Sequence, residues 1–266
     1  MNAVADILDV DVIEPMLTGG NVGRKVLVYK STSSTNDIAW EFARNSANNG
    51  LAVFAESQSS GRGRRGNKWL STSGQSILCS MLLIDFPVGP ELMTTASAIA
   101  VAESVINACS VEAKLKWPND VMINGKKAAG ILLESRPGSR GNNYVIGVGL
   151  NVHQSQEFFD NTELLMPATS LDIETTNTIN RNRLAAGLLN SFNCWLEIAR
   201  FDSGKIVNRW NRLSTQLGTL VTVEYNQQRF SGNCIGVDPA EGLILQLDTG
   251  GVRMFDAAHT TIVKHL

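Results

Sequence analysis

Residues 57–74 read SQSSGRGRRGNKWLSTSG, and the six residues 61–66 hold three arginines and three glycines, with Trp69 just beyond. Glycines at 61, 63 and 66 permit positive φ and let backbone N–H groups come close to an anion. Arg62, Arg64 and Arg65 add forked donors that suit carboxylate and phosphate, and Trp69 offers a flat face to a ring. Taken alone the run fits three readings: a tract that holds nucleic acid, a loop that folds over a small anionic ligand, or a mobile solvated loop. Overall charge argues against the first. The 266 residues carry 23 Lys and Arg against 25 Asp and Glu, a formal net charge of −2. Chains that live on DNA or RNA usually carry a basic excess, because phosphate contacts supply most of the affinity. Any anion site is therefore expected to be local.

The hydrophobic fraction of 43% and charged fraction of 18% suit a globular protein long enough for one large domain, or one large and one small. Upstream of the loop, KVLVY at 25–29 predicts a strand. STSSTN at 31–36 offers helix N-caps, and Ile38, Ala39, Phe42 and Ala43 follow at helical spacing. LAVFAE at 51–56 predicts a second strand that runs straight into the Arg/Gly loop. SILCSMLLI at 76–84 is a continuous apolar run, expected for a strand buried on both faces. Residues 93–109 predict a buried helix rich in small residues. VMI and AAGILLE are short strands around Asn124-Gly125, a strong hairpin signal, and YVIGVGL at 144–150 is another strand ending at Asn151. Residues 154–180 read as loop. Residues 181–213 carry a helical stripe of Leu184, Leu188, Phe192, Trp195 and Leu196, with Gly204 as the expected break.

From Leu217 short strands alternate with the turn-like stretches Asn226-Gln227, 238–242 (DPAEG) and 248–251 (DTGG). About 50 residues of this kind predict a small β-barrel. The expected division is therefore a lead at 1–24, a main domain at 25–216 and a barrel domain at 217–266. The lead is acidic, lacks the basic region of a signal peptide and is too short for a helix-turn-helix domain. No unbroken apolar run reaches the ~20 residues of a membrane span. Cys79, Cys109, Cys194 and Cys234 lie far apart, which excludes a CxxC motif. They predict buried free thiols in a reducing compartment, the cytoplasm. His153, His259 and His265 form no HExxH-type pair, so no protein-built metal site is expected.

Three further stretches carry chemistry. In Lys116-Trp-Pro-Asn-Asp120, Pro118 forces Trp117 to be extended. Asp120 could orient a metal, a ribose or a lysine, or simply cap backbone amides. In GKKAAGIL at 125–132, Lys127 at the mouth of a strand could reach a ligand carboxylate or phosphate, or lie in solvent, and Gly130 leaves room against the backbone. Ser34, Thr35 and Asn36, with Gln58 nearby if the first two strands are neighbours, could read a polar uncharged group such as a urea, or could cap a helix.

In order, STN at 34–36, ESQSSGRGRRGNKW at 56–69, LKWPND at 115–120, GKKAAGIL at 125–132 and GVGLN at 147–151 resemble the biotin protein ligases (biotin–[acetyl-CoA-carboxylase] ligases). The motifs span residues 26–151, and the small C-terminal barrel fits the same family. The resemblance implies an α+β fold, a mixed β-sheet with helices of the class II synthetase-like biotin/lipoate ligase type, followed by an SH3-like barrel. It implies activation of biotin by ATP, with Mg2+, to biotinyl-5′-AMP, then transfer to one lysine of a biotin carboxyl carrier domain of a carboxylase. Carried over residue by residue, the biotin set is Ser34, Thr35, Asn36, Gln58, Arg62, Gly63, Arg64, Lys127 and Gly130. The adenylate set is Gly61, Arg62, Arg64, Arg65, Trp69, Lys127 and Asn151, and the catalytic set is Lys127, Arg64 and Asp120. No direct DNA binding and no membrane are expected, and a homodimer stays open. A lipoate ligase or octanoyltransferase of the same fold and a non-catalytic biotin-sensing module are the alternatives.

Overall fold

In the computed structural model, which describes residues 6–265, the chain folds around two β-sheets. Residues 1–5 of the lead and Leu266 lie outside the described part. The lead contributes one turn of helix, α1 (Val10–Ile13), whose N-cap Asp9 accepts from Asp11 N–H. There follow β1 (Lys25–Tyr29), α2 (Thr35–Phe42), β2 (Leu51–Ala55), β3 (Ser76–Phe86), α3 (Pro90–Cys109), β4 (Ala113–Lys116), β5 (Asp120–Ile123), β6 (Lys126–Pro137) and β7 (Asn142–Asn151). Then come α4 (Gln156–Asp160), α5 (Leu171–Glu174), α6 (Arg181–Phe201) and α7 (Ser203–Leu213). Strands β8 (Leu220–Tyr225), β9 (Gln228–Asp238), β10 (Gly242–Leu247), β11 (Val252–Phe255) and β12 (Thr260–His265) complete the chain.

The first sheet has seven strands in the order β1-β2-β3-β7-β6-β5-β4. β1 and β2 are parallel, α2 supplying the crossover that a parallel pair needs, and the remaining pairings are antiparallel. Strand alternation sorts the apolar side chains between two faces. Leu51, Val53, Leu82 and Val145 pack under α2 with Ala39 and Trp40. Ala52, Phe54, Ile77, Cys79, Met81, Tyr144 and Ile146 face the other way into the larger core with α3 and α6. The result is a mixed sheet between layers of helix. Because α2 has only eight residues, it covers only part of its face, and the rest is left open.

Asn124 and Gly125 take φ of 49° and 76°, the two positive φ values that a two-residue hairpin turn after an Asn-Gly pair demands. The strand after this turn is much longer than the short strand expected. β6 runs twelve residues because β7 pairs with it all along from Ala129 to Pro137. Residues 154–180 are not bare loop. α4 and α5 lie there, α4 with Ser155 accepting from Phe158 N–H, and elements of four or five residues are too short to show a periodic stripe. The break in the long helical stretch falls at Asp202, not Gly204. The Asp202 N–H closes α6 on the Ile198 carbonyl, while its carboxylate caps α7 by accepting from Lys205 N–H.

Two expectations about environment also change. α3 is twenty residues long and apolar enough to cross a membrane by length and composition, although it contains no unbroken apolar run. Its alanines, isoleucines and valines carry the hydropathy average past the serines and threonines between them. Two-thirds of that stretch is buried inside the protein against the first sheet and α6, which makes it a core helix. Cys79, Cys109 and Cys234 are buried, and burial pushes the Cys109 thiol up to about 11, but Cys194 on α6 is exposed. All four cysteines are free.

The second sheet has the order β11-β10-β9-β8-β12, antiparallel throughout, with register shifts at Ile244/Leu245 and Ile262/Lys264. Among the described residues no ladder joins its edge strands β11 and β12, so it is an open sheet by pairing. Its buried residues Val221, Val223, Leu243, Leu245 and Phe255 continue the main core without interruption.

Candidate functional site

The open part of the first sheet is floored by glycine. Gly147 and Gly149 on β7 and Gly130 on β6 lie side by side, Gly130 opposite Gly149 in the ladder. A Cβ at Gly149 would sit 2.3 Å from the Trp69 ring, and one at Gly147 would sit 2.4 Å from Asn36 Oδ1. One at Gly130 would sit 3.0 Å from Trp69 and 3.1 Å from Lys127 Cε. The glycines thus create a strip of bare backbone against which flat groups can lie. Above it is a cavity of about 590 Å³, within the range of ligand sites.

At one end of the cavity the N-terminus of α2 meets the second strand pair. Ser34, Thr35 and Asn36 are buried. Ser34 occupies the N-cap position but its side chain makes no capping bond, so its hydroxyl remains for another partner. Thr35 donates from both N–H (2.7 Å) and Oγ1 (3.0 Å) to Gln58 Oε1. Ser80 Oγ lies 2.7 Å from Thr35 Oγ1 and 2.6 Å from Asn36 Oδ1. The amide nitrogen Asn36 Nδ2 is buried and has no partner. A buried donor without an acceptor costs free energy, and Asn36 belongs to the cavity lining, as expected of a group that meets its acceptor in a ligand. Sequence reading missed Ser80, because one serine inside an apolar strand carries no signal until the strand is paired.

The middle of the cavity is cationic. Lys127 Nζ lies 2.5 Å from Asp120 Oδ1 and 5.7 Å from the centre of the Trp69 ring. Arg64 donates to Asn119 Oδ1 at 3.3 Å and to the carbonyl of Ala257, on the turn before β12. Burial, and then the neighbouring Arg65, lower its pKa from the ordinary arginine value. Arg65, at φ 56°, and Gly63 line the same space. Gly61 stands where a Cβ would be 2.5 Å from the Trp69 carbonyl. The loop is folded on itself: Trp69 N–H donates to Gly61 O, Gly63 N–H to Asn67 O, and Asn67 N–H to Arg64 O.

Arg62 departs from its expected place among the ligand donors. It lines the cavity, but its guanidinium is paired with Asp37 on α2 at 2.8 Å and Glu134 on β6 at 3.2 Å. The hydrogen bond to Asp37 raises its pKa. At the far end Asn151 is buried and donates from Nδ2 to Thr169 O, beside Trp69, whose Nε1 is buried without a partner. Two walls were not foreseen. One is Phe158, Phe159 and residues 163–166, from the segment read as loop, and the other is Thr260, Thr261 and Ile262 of β12. Of the expected set, Ser34, Thr35, Asn36, Gln58, Arg62, Gly63, Arg64, Arg65, Trp69, Asp120, Lys127, Gly130 and Asn151 line one cavity, and Gly61 shapes the loop that covers it.

The chain matches the model of the biotin/lipoate A/B protein ligase family over residues 28–151. It is 32% identical over 258 residues to a biotin–[acetyl-CoA-carboxylase] ligase of Mycobacterium tuberculosis, covering 94% of this chain and 90% of that protein. It is 31% identical over 241 residues to the bifunctional ligase/repressor BirA of Bacillus subtilis, covering 89% of this chain and 74% of that one. In fold it is similar to a biotin protein ligase from Aquifex aeolicus solved with biotin and ATP. The TM-score is 0.75 at 22% identity, over 91% of this chain and 99% of the other.

Proposed function

Because the chain belongs to the biotin/lipoate A/B protein ligase family, we propose that this cavity is the active site of an ATP-dependent biotin protein ligase. The enzyme activates biotin to biotinyl-5′-AMP with release of pyrophosphate, Mg2+ accompanying ATP, and passes the biotinyl group to a lysine of a biotin carboxyl carrier domain. The observation that carries the reading is one continuous cavity with a neutral polar end, a cationic middle and a bare backbone floor. The unpartnered Asn36 Nδ2 and the free Ser34 hydroxyl support a fit to the uncharged ureido ring of biotin.

Activation brings a carboxylate against the α-phosphate, two anions at one point. Lys127 and Arg64 flank that point, and fixed cations stabilise the charge that develops there. Burial lowers the pKa of Arg64, with Arg65 adding to the fall and Asp120 opposing it. Asp120 holds the Lys127 ammonium in the cavity at 2.5 Å. In transfer, the acceptor lysine nitrogen bonds to the acyl carbon, the bond to the phosphate oxygen breaks, AMP leaves, and Asp120, beside Lys127, takes the proton. Trp69 and Asn151 take the adenine, the indole offering a flat face. The Arg/Gly loop covers the adenylate and keeps water from it.

The finer assignments rest on the same resemblance. A division near Gln216 and an SH3-like barrel for residues 217–266 are supported by five short strands with two register shifts. A cytoplasmic location is supported by four free cysteines, and the absence of direct DNA binding by the net charge of −2. The test is mass spectrometry of an apo carrier domain incubated with the protein, ATP and biotin or lipoate. One biotinyl group on a single lysine, with pyrophosphate released for biotin and not lipoate, is expected. Pyrophosphate release with lipoate alone, or none with either, overturns the reading.

A further inference from the structure

The Arg62 side chain does not point into the middle of the cavity. Its guanidinium bridges two carboxylates, Nη1 donating to Asp37 Oδ2 at 2.9 Å and Nη2 lying 2.8 Å from Asp37 Oδ1 and 3.2 Å from Glu134 Oε1. Glu134 is itself fixed, because its other oxygen accepts from Trp40 Nε1 at 2.6 Å. Trp40 in turn lies under Arg136, whose guanidinium carbon is 4.0 Å from the ring centre. The two carboxylates come from the two elements that carry the ligand contacts. Asp37 follows Ser34–Asn36 in the first turn of α2, and Glu134 is four residues beyond Gly130 on β6. A single side chain from the Arg/Gly loop therefore spans both walls of the cavity.

We propose that Arg62 is a positioning residue, a latch that holds the loop shut over the acyl adenylate by chelation between Asp37 and Glu134, and not a donor to the ligand. The inference rests on the ligase reading. The loop closes on itself through its own backbone bonds between 61 and 69, so its docking onto the body depends on side chains. Arg62 supplies one attachment, Arg64, through Asn119 and Ala257, a second, and the Trp69 ring on the glycine floor a third. The first attachment is partly exposed, Arg62 at 38% and Asp37 at 44% of the side chain. It is therefore weak enough to open on each turnover, since exposed pairs contribute little each. Two carboxylates on one guanidinium make the closed state more populated without making it permanent.

Asp37→Asn and Glu134→Gln keep size and shape, and neither residue itself lines the cavity. In each variant, biotin and ATP are supplied without a carrier, and two rates are read: pyrophosphate released in the first turnover, and loss of biotinyl adenylate from the protein into solution. The latch predicts an unchanged first turnover, with adenylate loss about threefold faster in each single variant and about tenfold faster in the double. Asp37→Glu should restore slow loss. Thermal unfolding of the double variant identifies any general loosening. Unchanged adenylate loss in the double variant overturns the latch. So does a slower first turnover for Arg62→Lys while both carboxylate variants behave as the parent, because that pattern belongs to a ligand donor. A parent protein that releases no pyrophosphate with biotin sinks the ligase reading instead.

Discussion

Lys126 and Lys127 carry the same charge one residue apart, so positive potential alone cannot tell them apart. Only Lys127 reaches Asp120 and the Trp69 ring, while Lys126 lines an adjoining surface groove and not the cavity itself. Removing one charge-assisted contact in a closed site costs about 2–4 kcal/mol of transition-state stabilisation, about a hundredfold in rate. Lys127→Gln should lose about that much biotin-dependent pyrophosphate release, and Lys126→Gln should stay near the parent. Equal losses would reverse the assignment. Gly149→Ala places a methyl 2.3 Å from the Trp69 indole, which must then swing off the floor. The expected result is about tenfold weaker ATP binding in a calorimetric titration at nearly unchanged biotin affinity. A variant that binds ATP as the parent does would show that the bare strip does not serve the nucleotide.

At the scale of elements, β6 shows what the sequence hides. Simple alternation puts Lys126, Ala128 and Gly130 on one face and Lys127 on the other. In the fold, Met122 pairs with Lys127 and Val121 with Ala129, so Ala128 is an extra residue, a β-bulge. The bulge turns Lys127 onto the face of Gly130. The motif is legible as a string, and it picks out Lys127, the lysine that lines the cavity. Why that lysine faces the cavity is not legible, because a bulge belongs to the pairing of two strands. Strands β1, β2, β3 and β7, with α2, α3 and the Asn-Gly hairpin, could be read from local patterns, but the length of β6 could not. α4, α5 and Ser80 could not, since their roles appear only when distant segments meet. α6 begins with a similar long-range feature. Arg181, fully buried, pairs with Asp6 at 2.7 Å and with Glu56, just before the Arg/Gly loop, at 2.8 Å. Arg181→Met takes the guanidinium away from partly buried Asp6 and buried Glu56, which keep backbone N–H donors but no arginine. It should cost about 3–5 kcal/mol in urea unfolding, and a loss under 1 kcal/mol would show the network to be dispensable.

Across the whole molecule, the two sheets meet at a carboxylate. Glu91, at the start of α3, accepts from the Ala257 N–H on the turn that also receives Arg64. Burial raises its pKa above the ordinary 4.5, with nearby Asp256 adding to the rise and Arg64 opposing it. A carboxyl group raised in the folded state contributes stability that is fully present below pH 4.5 and is lost as pH climbs through the raised value. Glu91→Gln keeps an acceptor for Ala257 without the charge. Its melting temperature should exceed the parent's at neutral pH and converge with it toward pH 4, and a gap that instead widens on acidification would contradict the sign. That β12 borders the cavity, and that the turn before it receives Arg64, is invisible in the sequence, where residues 217–266 hold no charged cluster or obvious nucleophile.

The Arg/Gly loop, closed on itself by backbone bonds between residues 61 and 69, also has a kinetic consequence. Most of the ordering entropy of a nine-residue segment is already spent within the hairpin, so the segment travels as one piece and does not fray residue by residue. In amide hydrogen exchange, the Gly63, Asn67 and Trp69 amides should then gain deuterium at a common rate in the empty protein and slow together when biotin and ATP are added. Three unrelated rates would mean that the segment is limp, and that ligand binding has to create its shape as well as its position.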